Sequence, residues 1–393
     1  MSQWDSTERF LLLPELKIIH HWSPTRYRNE YKVEKESKFE VCPKCATPSR
    51  SVHDRRWVKI SDQPIRGSGI YLRVLKRRFR CSNCKKVFTE PVRGVRKGFR
   101  TTERYRRGIK WACDNYADLS RVTKAYRCSS GLVYKIFYEQ LELKVRQRQY
   151  PWPQTIGIDE HSFKRDKKLR VMQYASMIVD YKNNRIYELA EGKTACGLKA
   201  QLDHIEGKEN VKNVILDMCD PFKKFAREQF PNATLIADKF HVLRLLTPAI
   251  NSRRKEITGD QRSNPVRKLL LRNGKDLKYY ERNALKLWLE QNPVMREVYF
   301  YKEALHRFYR TRGIEKAAKA LIKLTDLMAS SALREIKTLR KTLMKWRKEI
   351  LAYFATGLTN GKTEGYNRLA KLYQYRAFGY RSFKNYRLRL LNA

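Results

Sequence analysis

Apolar and polar positions change rhythm several times along this chain, and the changes divide it into six segments. Residues 1–40 keep no steady period, and their longest apolar run, FLLLP, is short. Between residues 41 and 95, RRWVKI and IYLRVLKRRFRC have the β-branched and aromatic content of strands, with the turn signal RGSG between them. From 96 to 148 the period becomes helical. Leu119, Val122 and Ala125 recur on one face, the break RCSS follows, and Leu132, Val133, Ile136 and Phe137 resume the spacing. A Ser in that break is placed to cap the second helix.

After YPWPQ (150–154), a Pro-rich stretch that reads as a linker, the texture alters again. TIGIDEHSF, RVMQYASMIVDYKNN and RIYELAEG read as strands, and ACGLKAQLDHIEG as a helix. VKNVILDMCD, the helix PFKKFAREQF and ATLIADKFHVLRLL complete an alternation over 155–242 that predicts an α/β sheet. The unbroken apolar VIL before Asp217 suits a central strand covered on both faces. From 243 to 358 the chain is helical and basic, punctuated by NGK at 273–275 and NP at 292–293. Its acids and bases interleave at helical spacing, which marks a solvated face. Residues 359–393 return a last helix, with Tyr366, Leu369, Ala370 and Tyr373 on one face and Glu364, Asn367, Arg368 and Lys371 on another.

Charge narrows the partners. The 393 residues hold 85 Lys or Arg against 40 Asp or Glu, a formal excess of +45. An excess that large, interleaved with 23 Tyr and 7 Trp, implies a polyanion, and nucleic acid above a membrane surface. No apolar run approaches the roughly 18 residues of a membrane span, and no signal peptide is evident, so the expected location is cytoplasmic. Charge alone does not separate an enzyme from a passive binder.

Four of the eight cysteines form two pairs, Cys42–Cys45 and Cys81–Cys84, while Cys113, Cys128, Cys196 and Cys219 stand singly. Two knuckles with hairpin strands between them predict a zinc ribbon over 41–95, although the gap between the pairs is longer than usual. The helix, tight turn and helix of 96–148 follow the helix-turn-helix pattern, whose second helix enters the major groove. The arginine-dense RGVRKGFRTTERYRR precedes it. Arg104, Arg106, Arg107, Ser129, Ser130, Tyr134 and Lys135 are the candidate DNA contacts.

Three acids fall where structure would present them. Asp159 follows Ile156 and Ile158 in an alternating strand, and Asp217 ends the VIL strand, at the edge where α/β sheets build sites. Glu364 is a lone acid in a basic tail, ordinarily a weak surface pair. Carboxylates brought together from distant segments ionise cheaply only around a cation. Two hard divalent ions about 3.5–4 Å apart are the usual solution, and they drive phosphodiester chemistry. That makes Glu364 a candidate metal ligand.

CPKC, CSNCKKVFTE, the helix-turn-helix, IGIDEHSFKR, LDMCDPFKKFAREQFPNATLIADKFHVLR and NGKTEGYNRLAKLYQYRAFGYRSFKNYRLRLL together closely resemble bacterial insertion-sequence transposases of the ISL-three family, in the DDE class. The resemblance covers nearly the whole chain. It implies a ribonuclease-H-like α/β core over 155–242, completed by 359–393 and interrupted by an all-α insertion at 243–358. It also implies cleavage and strand transfer at terminal inverted repeats, dependent on two Mg²⁺ (or Mn²⁺), in a homodimer or higher multimer at the bacterial nucleoid. Asp159 matches the first catalytic acid and Glu364 the last. Asp217 is preferred as the middle one, with Asp238 the alternative and Asp220 a weaker rival. His241, Asp220 and His161 are then near-site residues. A chain of this build that had lost its acids would be a non-catalytic DNA-binding regulator; every candidate acid is present here.

Overall fold

The computed structural model describes residues 13–116, 118–148, 150–165, 170–259 and 265–393. Most of FLLLP lies outside them. The chain divides into two units, Met1–Gln147 and Arg148–Ala393.

The first unit is built on one sheet. Strands β1 (Leu16–Thr25) and β2 (Arg28–Lys35) come from the segment without a steady period. They pair antiparallel, and β2 runs parallel to β6 (Ser68–Arg80), giving the order β1-β2-β6-β5. The two long strands read from the sequence are β5 (Val52–Ile65) and β6, an antiparallel hairpin. Its turn holds Arg66 at φ 49° and Gly67 at φ 75°, the paired left-handed conformation that matches strand twist. Ile60, Ile70, Leu72 and Val74 alternate inward and are buried with Leu16 and Val33. Short strands β3 (Glu40–Val41) and β4 (Pro48–Ser49) pair with each other, and β7 (Val87–Thr89) adds to β6.

Three helices follow: α1 (Glu103–Asn115), α2 (Leu119–Tyr126) and α3 (Ser130–Arg146). Side-chain oxygens of Thr102, Asp118 and Ser129 accept from Tyr105, Arg121 and Leu132 backbone N–H, so each start is capped. Arg127, at φ 48°, ends α2 in the left-handed conformation. Val122, Val133, Ile136 and Phe137 are buried, as their spacing predicts.

The second unit holds a five-stranded sheet in the order β10-β9-β8-β11-β12. Strands β8 (Thr155–Arg165), β9 (Met172–Asp180) and β10 (Arg185–Glu191) form an antiparallel meander. Strands β11 (Asn213–Leu216) and β12 (Thr234–Ala237) run parallel to β8. Helix α4 (Ala195–Leu202) precedes β11, and α5 (Asp220–Gln229) crosses from β11 to β12. Val214, Ile215 and Leu216 are all fully buried, as a strand covered on both faces requires. Ile156, Ile158, Val214 and Leu216 face α4, α5 and the helical block, whereas Ile215, Ile236 and Met177 pack on the C-terminal helices.

The helical block comprises α6 (Lys239–Leu243), α7 (Thr247–Thr258), α8 (Pro265–Leu271), α9 (Tyr279–Glu290), α10 (Pro293–Phe308), α11 (Ile314–Ala329), α12 (Arg334–Lys345) and α13 (Arg347–Thr356). Both sequence breaks are real boundaries: Asn273 caps a single 3₁₀ turn, and Pro293 opens α10. The chain then returns to the sheet as α14 (Gly361–Arg376) and α15 (Phe383–Leu391). YPWPQ departs from the linker reading. Trp152 is 2% exposed, edge-on to Phe230 at 4.8 Å, and its backbone N–H donates to Glu206 O. An aromatic of that size gains more by burial than by standing in solvent.

Candidate active site

Three adjacent strands each deliver an acid, one in mid-strand and two directly after a strand end. Asp159 lies on β8, Asp217 directly follows β11, and Asp238 directly follows β12. All three are buried, at 8%, 8% and 2% exposure. Helix α14 forms the opposite wall and carries Glu364, Asn367, Arg368 and Lys371 on the face read from the sequence. Asp159, Asp217, Asp238, Glu364, His241 and His161 all line one cavity of about 500 Å³.

Glycine sets how near that helix comes. A Cβ at Gly157 would lie 2.2 Å from Thr363 Oγ1, 2.6 Å from Tyr181 Cε2 and 2.8 Å from Asn360 Oδ1. Only a residue without a side chain admits α14 at this distance. Tyr181 then fastens the helix start, its hydroxyl donating to Thr359 O at 2.8 Å.

Two asparagines tie the helix to the acids. Asn360 donates its backbone N–H to Asp238 Oδ1 at 2.9 Å, and its amide to Asp217 Oδ1 and Ile158 O at 3.3 Å. Asn367 donates to Asp159 Oδ2 at 2.7 Å. His241 bridges the other two acids, with Nε2 2.9 Å from Asp217 Oδ2 and Nδ1 3.0 Å from Asp238 Oδ2. Asp238 also caps α6, accepting from His241 N–H.

Crowding decides the protonation. Burial, with the Asp217 charge and a hydrogen bond shared with it, pushes the Asp159 carboxyl up to about 8. Burial opposes the charge on His241, but its bonds to Asp217 and Asp238 raise the imidazole to about 10. Burial also favours the neutral acid at Asp238, yet the bonds from His241 and the Asn360 N–H hold it below the usual carboxylate range. His161 differs: burial pulls it down to about 4, and its Nε2 lies 2.6 Å from Tyr386 Oη.

Ligand oxygens of Asp159, Glu160 and Asp217 lie within 4.8 Å of one another, and Asp217, Asp238 and His241 form a second such group. The donors of the Asp159, Glu160 and Asp217 group are hard oxygens, and burial beside the Asp217 charge keeps the Asp159 carboxyl protonated, so this group fits a divalent cation that would supply the missing positive charge. Glu364 stands further round the same cavity, half-buried, with Arg368 donating to it at 3.3 Å.

Among the sequence-predicted residues, Asp220 does not join this cavity. It opens α5, pairs with Lys345 and faces another cleft, because Cys219 rather than Asp220 takes the cap position. Sequence reasoning passed over Glu160 and Asn360. It placed Asn367 on the right face without a role, although the asparagine of an Asn-Gly break could have drawn attention.

In the first unit, the four paired cysteines converge. Cys42–Cys84, Cys45–Cys81 and Cys45–Cys84 sulfurs are each 3.5 Å apart. Four thiolates at about 2.3 Å from one zinc would stand about 3.8 Å apart, so the set fits. Both knuckles share one backbone form: Ala46 and Lys85 N–H donate to Cys42 O and Cys81 O from φ 58° and 57°. The long gap between the pairs is the β5–β6 hairpin. Hydrogen bonds from Thr47 pull Cys45 down to about 6. Against the Lys86 N–H, burial and the neighbouring thiols push Cys84 up to about 11.

The candidate DNA contacts separate. Ser130, Lys135 and Arg107 are exposed, Ser129 is the α3 cap, and Tyr134 is 47% exposed and stacked on Tyr138. Arg104 is held by Asp62 at 2.7 Å. Arg106 is not a surface residue: at 1% exposure it pairs with Glu139 at 2.6 Å and lies over Phe99, because its helical position faces α3.

A family model for DDE transposases of the ISL3 group, described as a transposase, matches residues 156–390. A second, described as the zinc-finger of transposases IS204, IS1001, IS1096 and IS1165, matches residues 38–84, so the four-cysteine cluster is a structural zinc site. The transposase for insertion sequence element IS1001 of Bordetella parapertussis is 22% identical over 368 residues, 90% of this chain and 88% of that protein. The transposase for insertion sequence element IS1557 of Mycobacterium tuberculosis is 25% identical over 304 residues, 69% and 66% of the two chains. Among the described residues, no helix is long and apolar enough to cross a membrane.

Proposed function

Because the chain belongs to the ISL3 family of transposases, we propose that the acid-lined cavity cuts DNA at the terminal inverted repeats of an insertion sequence and joins the freed ends to a target. The observation that carries this is the convergence of Asp159, Asp217 and Glu364 on one cavity of about 500 Å³. In this reading those three hold two Mg²⁺ or Mn²⁺ ions, with Asp238 the alternative middle ligand. When bound, the ions would supply Lewis acidity and an activated oxygen nucleophile for in-line attack on a phosphodiester.

The chain's own groups do the rest. Asn367 and Asn360 fix the carboxylates of Asp159 and Asp217, so the donors meet substrate already oriented. His241 shields Asp217 from Asp238 and holds a proton between them. Arg244, Arg368 and Lys371 on the cavity wall are placed to offset phosphate charge.

The strand order, a three-stranded meander continued by two parallel strands, supports a ribonuclease-H-like core, with the α6–α13 block as an insertion ahead of Glu364. The capped helices α2 and α3 around a left-handed turn support a helix-turn-helix, with Ser130, Tyr134, Lys135 and Arg107 reaching duplex DNA. A homodimer or larger assembly pairing two ends accompanies this function.

The test is cleavage of linear duplex carrying the element's own ends, with Mg²⁺ against EDTA. Asp159→Asn, Asp217→Asn and Glu364→Gln are each expected to abolish nicking and leave end binding intact. Nicking by Asp217→Asn, combined with silence of Asp238→Asn, would replace Asp217 by Asp238. Nicking by Asp159→Asn would refute the site.

A further inference from the structure

A second cleft, about 690 Å³, opens between α5 and the junction of α12 with α13. Its walls carry Lys223, Lys224, Arg227, Lys345, Arg347 and Lys348 against three acids. The acids are engaged: Glu349, 3% exposed, takes Lys223 at 2.9 Å and Arg227 at 3.0 Å, and Asp220 takes Lys345. Lys224 meets Glu228 only at 4.0 Å. The side chains of Arg347 and Lys348 are exposed and, among the described residues, have no hydrogen-bonding or ionic partner. The cleft therefore holds about three uncompensated positive charges.

Its chemistry selects the kind of anion. No aromatic face lines it; Trp346 lies beneath, 2% exposed and covered by the Lys223 ammonium at 4.4 Å. Such a surface neutralises phosphates but offers no platform for stacked bases. Its position is equally specific. Asp217 lines the acid cavity and Asp220 this one, and three residues of chain span at most about 11 Å.

We infer that this cleft grips the phosphodiester backbone of the DNA undergoing cleavage, within a few nucleotides of the acids. The inference rests on the proposed function and deepens it by giving the duplex a path away from the cavity. The three side chains with least compensation, Lys224, Arg347 and Lys348, make the contacts. Lys223 and Arg227 stay with Glu349 and keep the wall in place.

The experiment measures affinity of the full chain for duplex of arbitrary sequence between 50 and 200 mM salt, with hydroxyl-radical footprints on end-bearing duplex. In K224A/R347A/K348A, the loss of affinity over that salt range is expected to shrink by roughly 3- to 4-fold per lost phosphate contact. Protection a few nucleotides from the cut bond is expected to vanish. K224R/R347K/K348R, which keeps the charge, is expected to behave as wild type. An alanine variant with wild-type salt dependence and footprint overturns the inference and leaves the proposed function standing. A wild-type chain that neither binds nor cuts duplex overturns the function and the inference with it.

Discussion

Gly157→Ala is the smallest change that separates the two walls of the acid cavity. The new methyl carbon would start 2.2 Å from Thr363 Oγ1, with Tyr181 Cε2 and Asn360 Oδ1 also inside 3 Å. Ordinary contact begins near 3.4 Å, so about 1 Å of movement is needed. Thr363 is fully buried, and the three crowding atoms belong to three residues, so no single rotamer change clears them. Helix α14 must lift from β8 and carry Glu364, Asn360 and Asn367 with it. Overpacking of this size costs about 1–3 kcal/mol. For a unit of 246 residues (Arg148–Ala393) that lowers Tm by about 2–4 °C per kcal/mol. A 1 Å misplacement of a catalytic wall costs about 100-fold in rate. Calorimetry and single-turnover nicking of end-bearing duplex measure the two effects, and Thr363→Ala in the same chain, which removes the closest clash, is expected to restore part of both. Wild-type nicking together with a lowered Tm would refute the idea that the α14 wall belongs to the reacting site.

Stability should also depend on pH through Asp159. Its carboxyl stands at about 8 in the folded protein, against about 3.9 for a free aspartate, so the folded protein holds a proton that the unfolded chain releases. That stabilisation is whole below pH 4 and is lost as pH rises through 8. The metal-free protein is therefore expected to melt lower at pH 8.5 than at pH 6, with Asp159→Asn flattening the slope and Mg²⁺ raising Tm most at the higher pH. Removing zinc with a chelator, or Cys45→Ser, is expected to unfold the knuckles around buried Phe79 and Phe88, read as loss of zinc on a colorimetric indicator and of amide protection at 41–89. Glu349→Ala would leave Lys223, at 10% side-chain exposure, without its buried partner. That change should destabilise the second unit by about 3–5 kcal/mol, whereas Lys224→Ala at the rim should leave Tm within about 1 kcal/mol.

What could be read from sequence follows the range of the forces involved. The cysteine pairs announce zinc because four soft ligands have few other uses in such a basic segment. Asp217 stands out because a strand ending in an acid after a buried apolar run is an uncommon local pattern, and Asp159 because it takes the polar place after the alternating Ile156 and Ile158. Asn360 showed only its Asn-Gly break and nothing of its role: its three acceptors, on Asp238, Asp217 and Ile158, lie on or just after strands more than 120 residues away. Gly157 was equally silent, since its reason is a helix formed two hundred residues later. Arg106 misled because an arginine in a basic run reads as surface, while its helical position faces Glu139. The period-free opening residues gave no strand signal because β1 owes its place to pairing with β2 and is largely exposed.

The wall made by Asn360, Glu364 and Asn367 comes from the last 34 residues of a 393-residue chain. During synthesis, both strand-end acids and the whole zinc-bearing unit leave the ribosome seconds before that wall exists, at about 5–20 residues per second. A message cut short before codon 360 would still encode the compact unit Met1–Gln147. If the proposed end binding resides in that unit and the proposed cutting needs the late wall, such a fragment would occupy an element's ends without cutting them and would act as a brake on its intact siblings.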